Sequence, residues 1–167
     1  MVRLYLGSLL LVTSSFASSA TVDTKPYEQK LNATIKDINA QKPLDKISKE
    51  ASALVEMSKP LLKAFKGKEK ECAAYIDAIL KVGDQLSSMP LEKIESDYHE
   101  DKALPKAPGS CHHAKDLIVH PATVVALGKA NLKAKDKDVY QKMLAELVEL
   151  SAHLKAVEAS ISQPKKS

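Results

Sequence analysis

The chain has 167 residues, a formal net charge of +4, no tryptophan and only 4% aromatic residues. That length fits one domain able to bury a real core. Arg3 is its sole arginine, and its many lysines alternate with acids. A nucleic-acid partner calls for a basic stripe with arginines or stacking rings, so none is expected here.

The first twenty residues, MVRLYLGSLLLVTSSFASSA, read as a signal peptide. Arg3 supplies a positive start, Leu4 to Val12 a short apolar core, and Ser18 and Ala20 suit the cleavage site. The apolar run is too short to span a bilayer, which takes about 20 residues. No later segment is apolar enough either. The expected mature chain is exported, periplasmic or secreted, with no transmembrane segment.

From there the hydrophobic period is helical almost throughout, with few glycines and no alternating strand pattern. A short helix is expected from Tyr27 to about Asn39, turning Leu31, Ile35 and Ile38 inward. A long one from Leu44 to Phe65 carries Ile47, Ala51, Leu54, Ser58, Leu61 and Phe65, with Pro60 expected to bend it. A third runs from about Glu69 to Ser88, and a short one starts at Pro90 with Leu91, Ile94 and Tyr98 on one side. The loop ALPKAPGS, residues 103–110, ends that stretch, and Ser110 is a suitable N-cap for the next helix. That helix runs to about Ala130, with an inner face of Ala114, Leu117, Ile118, Pro121 and Val125. The last starts near Asp136 and presents Tyr140, Met143, Leu147, Leu150, Leu154, Val157 and Ile161 as one seam. The expected fold is all-α: an antiparallel bundle of four long helices plus one or two short ones, covering residues 21–162, with a polar tail at 163–167.

Two cysteines in an exported chain favour a disulfide. Cys72 and Cys111 both sit near helix starts. The chain leaves Cys72 along one helix and returns through the proline loop, which brings Cys111 back to the same end of the bundle. No Cys-x-x-Cys-His occurs, so covalent haem attachment is not expected.

The segment GSCHHAKDLIVHP, residues 109–121, concentrates the remaining chemistry. His112 and His113 diverge by about 100° on a helix, and His113 and His120 stand two turns, roughly 10 Å, apart. Asp116 lies one turn from each of them. His113 and His120 fall at the edge of the expected inner face, where they can meet His153 of the last helix, with Glu149 one turn before it. The candidate metal set is therefore His113, Asp116, His120 and His153, which suits a transition ion such as Zn or Cu. His99, with Glu100 and Asp101, forms a second acidic cluster. Equally, the histidines can be surface or capping residues with no ligand. His120-Pro121 marks either a kink or a new helix start. A kink would free backbone carbonyls near Lys115 to Leu117.

No nucleophile elbow, phosphate loop or dinucleotide fingerprint is present, so a non-enzymatic binding or interaction role is expected, with an unspecified protein or small ligand as partner. A small exported helical bundle with a histidine on its last helix resembles the soluble bundle cytochromes in architecture. That resemblance implies non-covalent haem as the alternative cofactor, with Met57 and Met143 as available ligands.

Overall fold

The computed structural model describes residues 22–134 and 136–163. The signal-peptide reading, and residues 164–167 of the tail, lie outside the described residues.

Six helices make an all-α bundle: α1 Lys25–Asn39, α2 Leu44–Lys68, α3 Ala73–Leu86, α4 Leu91–Ile94, α5 His112–Ala134 and α6 Val139–Ser162. Single 3₁₀ turns, Lys70–Cys72 and Gly109–Cys111, lead into α3 and α5, and a π turn, Glu95–His99, extends α4. No strand occurs among the described residues. Cross-helix pairs show the antiparallel order. Thr24 of the α1 entry bonds Glu158 near the end of α6, whereas Tyr140 at its start donates to the Lys42 carbonyl just past α1. Along α2 and α3, Lys59 meets Asp84 and Lys66 meets Asp77.

The seams read from the sequence are the core. Ile47, Ala51, Leu54, Leu61 and Phe65 of α2 are buried, as are Met143, Leu147, Leu150, Leu154, Val157 and Ile161 of α6. Several boundaries differ from expectation by a few residues. Helix α6 starts at Val139 rather than near Asp136, and α3 begins only after a 3₁₀ turn. Ser110 lies inside the second 3₁₀ turn and is not an N-cap.

Helix α5 departs most from the amphipathic picture. Every residue from Ala114 to Gly128 is buried, so it has no outer face over those four turns. It is the central helix, packed against α2, α3, α4 and α6. Of the two expected edge positions, His120 is interior at 1% exposed, as are its neighbours Asp116 at 6% and Lys115 at 2%. Helix α5 meets solvent at its first turn, where His113 is exposed, and again from Lys129 onward.

Pro121 sits within α5, which continues unbroken through it, so His120 does not cap a new helix. A proline lacks the N–H that would bond the carbonyl four residues earlier, here that of Leu117. The buried Tyr27 hydroxyl of α1 donates to that carbonyl at 2.6 Å. The freed carbonyl thus anchors α1 to the central helix instead of serving a ligand. Burial pushes the Tyr27 hydroxyl pKa well above its ordinary value, so it remains a donor.

Cys72 and Cys111 are joined, with Cα atoms 5.4 Å apart and a sequence separation of 39. Both are fully buried. The bond ties the start of α3 to the start of α5, the end of the bundle where the polar residues of α5 gather.

Two substitutions test the proline–tyrosine coupling. Tyr27→Phe leaves the Leu117 carbonyl buried without a donor and is expected to destabilise by about 1–3 kcal/mol in urea unfolding. In a Pro121→Ala background the helix regains its own N–H donor, and the same tyrosine change is expected to cost less. Equal costs in both backgrounds would contradict the coupling.

Candidate metal centre

Four imidazoles form a row where the π turn, α5 and α6 converge. The His99 ring meets His120 edge-on with centroids 5.1 Å apart. His120 stacks on His153 at 5.2 Å, and His153 lies 5.1 Å from His113. The row runs from half-buried His99 through buried His120 and half-buried His153 to exposed His113. Asp116, one turn before His120 on α5, lies beside it.

Local structure explains why these rings meet. The antiparallel register of α5 and α6 sets His113 opposite His153 and His120 opposite Glu146. His99 comes from the π turn, where Glu100 N–H donates to the Glu95 carbonyl five residues back. Such a turn changes which way its side chains point, relative to a regular helix. Ile94 and Tyr98 stay in the core while His99 joins the α5 histidines.

Hydrogen bonds assign protons to two of the rings. His120 Nδ1 is 2.7 Å from Glu146 Oε2, and His99 Nδ1 is 2.9 Å from Glu95 Oε2. An ionised carboxylate only accepts, so each Nδ1 carries a proton and donates it. In the neutral ring the Nε2 lone pair is then free. This is the arrangement by which a carboxylate orients a metal-binding histidine and raises its basicity.

His120 Nε2 is buried with no hydrogen-bond partner, and so is Asp116 Oδ1. Lys115 Nζ lies 3.0 Å from that oxygen as an ion pair, but it hydrogen-bonds elsewhere, to the His99 carbonyl at 3.0 Å and Asp101 Oδ1 at 3.2 Å. His99, Asp116 and His120 each offer one ligand atom, and the three atoms lie within 4.8 Å of one another. Two nitrogens and a carboxylate oxygen so placed could hold a transition ion, whose bonds to such donors are about 2.0–2.2 Å long.

The charge balance also favours a cation. Four carboxylates, Glu95, Asp101, Asp116 and Glu146, surround the row and the base of α5, against Lys115, the one buried lysine among the described residues. Asp101 sits in the left-handed region at φ 61°, which aspartate tolerates better than most residues. There it accepts from Tyr75 at 2.5 Å and lies 3.1 Å from His112 Nε2. Burial first, then the Asp101 hydrogen bond and charge, hold the Tyr75 hydroxyl far above its ordinary pKa.

Of the residues singled out in the sequence, Asp116 and His120 belong to the close group. His153 adjoins it, with Nε2 3.6 Å from Asp116 Oδ2. His113 reaches only His153, at 2.9 Å between Nδ1 atoms. Glu149 is exposed, and its charge acts on His153. His99, grouped in the sequence with Glu100 and Asp101, is a member of the central cluster. Glu146 and Lys115 were missed. Glu146 was detectable in principle, because it is one turn before Leu150 and seven residues before His153, on the same stripe of α6.

Comparisons with family models, with curated proteins and with solved structures each returned no match.

Surroundings push two of the imidazoles in opposite directions. Burial disfavours the charged form of His99, but the hydrogen bond and charge of Glu95, with Glu146 and Asp116 beyond, outweigh it and raise its pKa. At His153 burial dominates; His120 and His113 add to it, against Asp116 and Glu149, and the pKa falls. In the metal-free protein, nitrogen-detected NMR titration is expected to place His99 above and His153 below the usual value of about 6.5. The reverse order would contradict these assignments.

Proposed function

We propose that the protein is an exported, non-enzymatic binding module whose ligand is a divalent transition ion, held by His99, Asp116 and His120. The observation that carries this reading is the buried His120 Nε2, which has no hydrogen-bond partner, beside Asp116 Oδ1, which makes no hydrogen bond and has Lys115 as its ion-pair partner at 3.0 Å. A buried polar group without a partner costs about 1–3 kcal/mol. One cation would satisfy both. Imidazole and carboxylate donors together suit Zn or Cu better than Mg or Ca, which prefer all-oxygen shells.

The carboxylates at Glu146 and Glu95 support an ion over the haem alternative, because a haem pocket between helices is apolar where these rings face charge. Met143 is fully buried in the α6 seam, where packing accounts for it. A disulfide, together with the lack among the described residues of any helix long and apolar enough to cross a membrane, is compatible with export. We place the protein in the periplasm or outside the cell on that basis and on its N-terminal sequence.

Calorimetric titration of the untagged protein with Zn(II), at neutral pH, tests this. Saturable binding is expected, abolished or weakened at least 100-fold by His120→Ala. Glu146→Gln, which removes only the carboxylate that orients His120, is expected to weaken it by about 10–100-fold. Absence of saturable binding, or unchanged affinity in both variants, would overturn the reading.

A further inference from the structure

The inner group leaves two histidines of the row unused. His113 Nδ1 and His153 Nδ1 approach to 2.9 Å. Two ring nitrogens this close must share something: a proton donated from one to the other, or a cation bound by both lone pairs. Two ligands at about 2.0–2.1 Å from one ion stand close to 2.9 Å apart when they subtend roughly a right angle, and somewhat further apart in a tetrahedral site.

Asp116 relates this pair to the inner group. Its Oδ2 faces His153 Nε2 at 3.6 Å, while its Oδ1 is the buried acceptor of the inner group. A proton on His153 Nε2, facing that carboxylate, leaves Nδ1 as a lone pair directed at His113. One aspartate would then serve both places, as ligand through Oδ1 and as orienting group through Oδ2. The two places also differ in access: His120 is 1% exposed, whereas His113 opens to solvent.

We propose a second ion site at the surface end of the row, formed by His113 Nδ1 and His153 Nδ1, so that the cluster binds two divalent transition ions through a shared Asp116. This rests on the reading of the inner group as a metal centre. The outer site has two protein ligands and completes its shell with water, so its ion is the weaker and more exchangeable of the two.

Equilibrium dialysis of the full, untagged chain against Zn(II), with metal counted by mass spectrometry, decides the matter. The wild type is expected to bind two ions of unequal affinity. His113→Ala, a change at an exposed position, is expected to bind one, at the tighter affinity. Asp116→Asn is expected to weaken both. One ion in both wild type and His113→Ala would overturn the outer site and leave the inner one standing. One ion in the wild type and none in His113→Ala would mean a single merged centre, and would also overturn the proposal. No ion in the wild type would remove the inner reading and this one with it.

Discussion

Helix α5 is buried on every side for four turns and yet carries Lys115, Asp116 and His120. Burying a charge without a partner is so unfavourable that the rest of the fold must supply partners at those depths. Much of the remaining architecture answers that demand. Asp101 and the His99 carbonyl receive Lys115, Glu146 of α6 receives His120, and the disulfide holds the starts of α3 and α5 together beside this layer. The apolar seams explain why the helices associate. The polar layer limits how they can be aligned, because sliding α6 along α5 by one turn would part His120 from Glu146 and His113 from His153.

Satisfaction along buried α5 is incomplete, with the Thr123 hydroxyl also lacking a partner, but among the charged and histidine groups the shortfall falls on acceptors. The donors find partners, since Lys115 is engaged by two acceptors and each oriented histidine by a carboxylate. The surplus is in acceptors, at His120 Nε2 and Asp116 Oδ1. A purely structural polar layer would balance donors against acceptors. An excess of buried lone pairs beside a surplus of carboxylates is the electrostatic form of a cation site. Histidine protonation is the competing way to supply positive charge, and the Glu95 hydrogen bond and charge that raise the pKa of His99 favour it at that ring. Metal and protons therefore compete for the same lone pairs, and affinity should fall as the solution is acidified.

Helix existence and the core-facing seams of α2 and α6 were legible in the sequence, because alternating apolar spacings of three and four need only local geometry. The pairing of Cys72 with Cys111 followed from chain direction and return length. What the sequence concealed was centrality. The α5 residues Leu117 to Leu127 are apolar or small at nearly every position, so no single face stands out, and an interior helix was read as a surface one with an inner edge. The edge position that the same pattern gives His120 is in fact an interior one. His99 was hidden for another reason. Its direction depends on a π turn, and the extra residue in that turn leaves no compositional trace. The helical wheel did bring out the relation of Asp116 to its two neighbouring turns and the reach across to His153, since both depend on i, i+4 spacing and antiparallel packing.

Crystals of the Zn-loaded, untagged protein, measured on both sides of the zinc absorption edge, test the central claim most directly. The account predicts an anomalous peak enclosed by the His99 and His120 rings and the Asp116 carboxylate, with Glu146 still on His120 Nδ1. A protein that takes up zinc only at exposed side chains, with His120 and Asp116 still facing each other without an ion, would contradict it.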